Sequence, residues 1–165
     1  MPSFLISLER VIEGLHDDEI FCPSNSEAGS EGSFCGLDRP IILQLAGNDI
    51  ESMIAAGERV QRYVDAIDIN LSCPQKCAEM GQYGAFLLQN DLELACAIVK
   101  SMVESLVVPV TAKIRLISTD LQQNIAVAIR LQEAGVSALC IHGRFISERD
   151  HQVYNFFALF SISNI

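Results

Sequence analysis

Residues 65–87 read DAIDINLSCPQKCAEMGQYGAFL, and the fold turns on how this stretch divides. Ala66 to Asn70 reads as a short strand in which apolar and polar residues alternate. The chain then breaks at Cys73-Pro74 into a loop holding two cysteines, a lysine and two glycines. A strand whose C-terminal end delivers an Asn, a Cys and a Lys into a glycine-punctuated loop is where α/β proteins place their chemistry.

Working outward, the segments on either side repeat one pattern. Upstream, RPIILQL (residues 39–45) is a continuous apolar strand of the parallel-sheet type. Gly47-Asn48-Asp49 ends it, with Asn48 or Asp49 as N-cap of a helix through Tyr63 whose inner face is expected at Ile54, Ala55, Val60 and Tyr63. Downstream, Asp91 caps a long helix that buries Leu92, Leu94, Ala95, Ile98, Val99 and Met102. Val108-Pro109 closes that helix, and VPVTAKIRL is the next strand. Asp120 opens a third helix with Ile125, Ala128, Ile129 and Leu131 inward, stopped by Gly135. SALCIHGR is the fourth strand.

Strand and helix thus alternate, every strand is apolar, and parallel βαβ units follow. Four units are half of an eight-stranded barrel or part of a doubly wound sheet. No G-x-G-x-x-G follows any strand, which argues against a dinucleotide-binding Rossmann unit. Polar residues instead recur at strand ends: Gln44, Asn70, Lys113 with Arg115, and His142 with Arg144. In a (β/α) barrel those ends converge on one face, so the expected fold is α/β, a partial TIM (β/α) barrel of about four parallel βα units. Residues 1–37 form a variable N-terminal segment (an amphipathic helix over 1–15, then a Gly/Ser/Glu loop over 23–38). Residues 38–144 form the partial barrel, and residues 145–165 a divergent apolar tail.

Composition bounds the partners. Half of the 165 residues are hydrophobic and 19% are charged, enough for one domain with a core. No run reaches the roughly 18 apolar residues of a membrane helix, so no membrane partner is expected. The start lacks a basic n-region, which argues against a signal peptide. Six cysteines without a regular framework suit a reduced, cytoplasmic protein, with the nucleus as a second compartment. The net charge of −10 opposes phosphate binding, although much of the acid lies before Pro40; beyond it 9 basic residues face 13 acidic ones.

Cys73 is the first chemical candidate: a thiol in a loop after a strand is placed to act as a general acid. An arbitrary cysteine is more often a small buried hydrophobe, and Cys96 in its helix and Cys140 in its strand are read that way. Cys73 and Cys77 make C-x-x-x-C with no second pair, so no metal site is expected. Lys113 and Arg115 alternate with apolar residues and suit an anionic group or an electron-rich cofactor edge, against the plainer reading of snorkelling edge residues. A lone strand-end histidine such as His142 is commonly structural; the neighbouring Lys113 strand raises its standing.

Four stretches in order, DRPIILQLAGND, AIDINLSCPQKCAEMGQYGAFL, VPVTAKIRL and LCIHGR, resemble the tRNA-dihydrouridine synthases, most closely their eukaryotic branch. The resemblance spans residues 38 to 144. It implies an FMN-dependent TIM-barrel oxidoreductase that reduces uridine to 5,6-dihydrouridine in the D-loop of tRNA, with electrons from NADPH. By the same resemblance Cys73 is the acid that protonates carbon 5 of the uracil while reduced flavin gives hydride to carbon 6. Asn70 and Arg144 are substrate-side residues, and Gln44, Lys113 and His142 contact the flavin. The family's first strand with its flavin-binding turn, its later strands with a phosphate-binding loop, and its helical C-terminal domain have no counterpart in the chain, which is expected to be a fragment. Two other readings stand beside this one: a flavin barrel of the dihydroorotate or dihydropyrimidine dehydrogenase kind, which shares NLSCP, and an inactive truncated product.

Overall fold

The structure is a computed structural model and describes residues 40–148. The helix expected over residues 1–15, the loop over 23–38, Cys22, Cys35 and the apolar tail lie outside the described residues, save Phe145 to Glu148.

Four strands form one parallel sheet: β1 (Ile42–Leu45), β2 (Ala66–Leu71), β3 (Val110–Leu116) and β4 (Ala138–Phe145). Their spatial order follows the chain order. Right-handed crossovers between sequential parallel strands put every connecting helix on the same side of the sheet. The helices are α1 (Ile50–Val60, continued by a 3₁₀ turn Gln61–Tyr63), α2 (Lys76–Gly81), α3 (Ala85–Asn90), α4 (Leu92–Ser105) and α5 (Leu121–Glu133). The sheet is open among the described residues, with β1 and β4 at its edges, so the architecture is an arc of a (β/α) barrel.

Alternate residues along each strand build two unlike faces. Leu45, Ile67, Ile69, Leu71, Val110, Ala112, Ile114 and Leu116 are all buried and form the face that the helices cover. Toward the C-terminal ends the registered partners between them are mostly polar: Gln44 lies opposite Asp68, Asp68 opposite Thr111, Asn70 opposite Lys113, Lys113 opposite Cys140, and Arg115 opposite His142. The strands are therefore apolar on one face only, and the continuous apolar reading missed the second.

The helix caps follow the sequence closely. Asp49, Asp91 and Asp120 each accept a hydrogen bond from a backbone N–H in the first turn of α1, α4 and α5. Gly135 adopts φ +104°, and Gly135 and Val136 donate to Gln132 and Leu131, which closes α5 as a Schellman motif.

The inner faces are less well matched. In α1 the buried residues are Met53, Ala56, Gly57 and Val60, at the i, i+3, i+4, i+7 spacing; Ile54 and Tyr63 are half-buried and Ala55 is exposed. Gly57 decides this face, because a Cβ there would sit 2.8 Å from Leu106 Cδ1. In α4 the core residues are Ala95, Ile98, Val99 and Met102, with Leu92 and Leu94 half-buried. In α5 Asn124, Val127, Ala128 and Leu131 face in, Ile125 is half-buried and Ile129 is exposed.

Asn124 replaces an apolar contact with a bracket for the β3–α5 turn. Its Oδ1 accepts from Ile117 and Ser118 N–H at 2.8 and 3.3 Å, and its Nδ2 donates to Ser118 and Asp120 carbonyls at 2.6 and 3.0 Å. A buried amide with partners on both atoms carries little desolvation penalty.

Candidate active site

The site sits where the polar face meets the C-terminal end of β2. A chain leaving a strand needs new partners for its backbone N–H groups. Asn70 supplies them: its Oδ1 accepts from Ser72 N–H at 3.0 Å and Cys73 N–H at 2.9 Å, an Asx turn that steers the chain out of the sheet. Cys73 is held at its other end as well, since its carbonyl accepts from Ala85 N–H at 3.1 Å. Gly84 makes that closure possible. It adopts φ +64°, and a Cβ on it would meet Cys73 Cβ and O at 2.9 Å. The thiol is half-buried on a backbone fixed from both sides.

The expected loop after Pro74 is instead two short helices. Gly81 and Gly84, read as loop punctuation, fall at the end of α2 and at the N-cap of α3. Between them Gln82 occupies the left-handed region (φ 51°, ψ 42°) and donates to Glu79 O at 2.6 Å, while Asn90 donates to its Oε1. Asn48 ties this hairpin to the end of β1 by donating to Gly81 O at 3.0 Å.

From Asn70 a line of hydrogen bonds runs across the polar face. Asn70 Nδ2 donates to Gln44 Oε1 at 2.8 Å, Gln44 Nε2 donates to Asp68 Oδ2 at 2.7 Å, and Thr111 Oγ1 donates to Asp68 Oδ1 at 2.7 Å. Two expected residues, Gln44 and Asn70, are thereby joined to a third, Cys73. Lys113, half-buried beside Asn70 in register, forms no ion pair among the described residues.

The remaining candidates are placed differently. His142 is half-buried on β4, opposite Arg115. Arg115 is itself buried and spent on structure: its Nε donates to Ser72 O at 2.8 Å and its Nη1 to Phe145 O at 3.2 Å, bridging the exits of β2 and β4. The register jumps there, from Arg115 opposite His142 to Leu116 opposite Phe145. Arg144 lies in this irregular stretch, so strand alternation does not carry it to a position beside Lys113.

Of the other cysteines, Cys140 is exposed, not core, because its position opposite Lys113 puts it on the polar face. Cys96 is half-buried, and burial pushes its thiol pKa up. Cys77 is exposed and accepts a hydrogen bond from Tyr83 Oη at 3.4 Å. That bond, then burial, then repulsion from the sulfurs of Cys77 and Cys73, raises the Tyr83 phenol to about 12. Among the described residues no group of three or more His, Cys, Asp or Glu could hold a metal ion.

Sequence reasoning missed Asp68, Thr111 and Tyr83. A single acid inside the AIDIN strand was the available signal for Asp68, since a carboxylate in a buried strand needs partners.

The family model described as Dihydrouridine synthase (Dus) matches residues 11–160. The chain belongs to the dihydrouridine synthase family. It is 42% identical over 114 residues to the tRNA-dihydrouridine(16/17) synthase [NAD(P)(+)] of Schizosaccharomyces pombe, covering 69% of this chain and 28% of that protein. The Rattus norvegicus tRNA-dihydrouridine(16/17) synthase [NAD(P)(+)]-like protein is 43% identical over 110 residues, 67% of this chain and 25% of that protein. The Homo sapiens tRNA-dihydrouridine(20a/20b) synthase [NAD(P)+]-like protein is 37% identical over 120 residues, 71% and 37% of the two chains. The chain thus spans about a quarter of the length of the first two of these relatives. Dihydrouridine synthase membership is what the four ordered stretches implied, in preference to the dihydroorotate or dihydropyrimidine dehydrogenases.

Proposed function

We propose that the protein carrying this chain reduces uridine in the D-loop of tRNA to 5,6-dihydrouridine, using FMN with NADPH as electron donor. The observation that carries this reading is the continuous hydrogen-bonded line Gln44–Asn70–Cys73, at strand ends where an α/β barrel binds its substrates. Family membership supports it, as do the relatives named for NAD(P)-linked dihydrouridine synthesis on tRNA.

The donor set suits the flavin. Gln44 keeps one N–H hydrogen beyond the one spent on Asp68, and Lys113 stands on the same polar face; together they match the carbonyl-rich, electron-rich edge of an isoalloxazine ring. In this reading Gln44, Lys113 and His142 hold the flavin, and residues 38–144 form the flavin-binding region. Bound FMN supplies the electron pair that reaches carbon 6 of the uracil. Cys73 holds a proton at Sγ and delivers it to carbon 5, its aim fixed by the bonds at its N–H and C=O. Asn70 and Arg144 orient the base, which must leave its stack to reach them. The negative balance of the chain leaves the grip on tRNA phosphates to other surfaces. The cytoplasm, with the nucleus second, is the compartment that goes with this work.

The test is direct. The protein is supplied with FMN, NADPH and unmodified tRNA, and dihydrouridine is measured by mass spectrometry of nucleosides. Product that depends on FMN and on Cys73 is expected; a folded protein that takes up no flavin and forms no product overturns the reading.

A further inference from the structure

We propose that Asp68 is a positioning residue, which terminates a one-way chain of hydrogen bonds and so sets the atoms that Gln44 and Asn70 turn outward beside Cys73. The direction of the chain follows from its ends. Ser72 and Cys73 N–H can only donate, so the Asn70 atom facing them is the oxygen. Its amide nitrogen must then face Gln44, which meets it with its own oxygen and turns its nitrogen to position 68. Only an acceptor completes that sequence. Asp68 offers two oxygens, one accepting from Gln44 Nε2 and one from Thr111 Oγ1.

The backbone turn at one end and the carboxylate at the other therefore agree, and neither amide can flip without placing like atoms face to face. Both amides keep one N–H hydrogen beyond those spent within the chain. Asp68 is 9% exposed and sits one strand step below Asn70, so it acts on the site through Gln44 and not by contact. What this orientation does for flavin and base rests on the reading proposed above; the chain of bonds does not.

The test is a double-mutant cycle on the full 165-residue chain. Gln44→Glu sets two carboxylates against each other at position 68. It should lower the melting temperature by about 4 °C and speed hydrogen exchange at Ser72 and Cys73 N–H about tenfold. Asp68→Asn alone should do little, because its amide can turn its oxygen to Gln44 and its nitrogen to the Thr111 hydroxyl. Combined, the new amide donates to the new carboxylate, which still accepts from Asn70, and both readouts should return close to the starting protein.

A double variant no better than Gln44→Glu, or one that fails to fold where Gln44→Glu folds, overturns the proposal. Rescue of Ser72 and Cys73 exchange is the readout that a role confined to global stability would not give. FMN is titrated in parallel by fluorescence. Rescue without any FMN binding in the starting chain would leave the amide chain standing and remove the flavin reading, so the two fail separately.

Discussion

Ile69 and Asn70 are neighbours on β2, yet their side chains lie on opposite faces of the sheet and are held by different forces. Ile69 is 1% exposed, packed with Ile67, Leu71 and Ala112 under the helices, where what matters is filled volume. Asn70 is half-buried, and what matters there is which atom points where. A core residue exchanges for another of similar shape at modest cost, whereas an amide in a directed chain has no neutral substitute. One strand thus carries a tolerant face that makes the fold and an intolerant face that makes the site.

The contrast breaks first on the apolar side. Ile69→Ala should cost about 3 kcal/mol of unfolding free energy by leaving a cavity between sheet and helices. Denaturant unfolding measures it, and a loss below about 1 kcal/mol would mean that the helices collapse onto the gap. Gln44→Ala, exposed on the other face, leaves no cavity but strips Asp68 Oδ2 and Asn70 Nδ2 of a partner, and should cost less, about 1 kcal/mol.

Next comes the chemistry. In the enzyme proposed above, Cys73→Ala should slow dihydrouridine formation roughly 100-fold while flavin and fold are retained. Cys77→Ala should do far less, since Cys77 is exposed and joined to Tyr83 rather than to the Asn70 turn. Equal losses at the two cysteines would point to a paired role and dissolve the distinction between them.

A third substitution sharpens the boundary between the faces. Gly84→Ala forces a side chain into the left-handed region and against Cys73, at a cost of about 2 kcal/mol. Because the clash falls on Cys73, product formation should fall further than stability alone explains. Comparing rate loss with unfolding at a temperature where the variant is fully folded checks this.

The sheet was legible because four apolar runs separated by capped helices leave few other arrangements: Asp91, Asp120 and Gly135 read correctly from local chemistry alone, and the cap left open between Asn48 and Asp49 falls on Asp49. The helix faces were less legible. Gly57 contributes to its face by absence of a side chain, and Asn124 by hydrogen bonding, so counting apolar residues shifted the α1 stripe toward Ile54 and Ala55 and gave Ile129 to the core in place of Val127. The short helices α2 and α3 were hidden by the Pro and Gly residues that bound them. At the site, motif residues could be named one by one, but the partner that orients them could not. Asp68 acts through Gln44, 24 positions away in the chain, and that pairing exists only once β1 and β2 lie side by side.

The smallest expected effect is at the rim, on Tyr83. Its phenol is raised to about 12, first by the hydrogen bond to Cys77 and then by burial and the nearby sulfurs. A phenol whose folded pKa exceeds its ordinary value near 10 stays protonated longer in the fold than in the unfolded chain. Its contribution to stability is therefore complete below pH 10 and is lost as pH rises from about 10 toward 12. Difference absorbance at 295 nm against Tyr83→Phe isolates this group from Tyr63 and Tyr154. At pH 10.5 the starting protein should show little phenolate at position 83, and Cys77→Ala should show clearly more, because the largest cause of the shift has gone. An unchanged titration in Cys77→Ala would assign the shift to burial and to Cys73, and would tie Tyr83 to the proposed proton donor instead of to its exposed neighbour.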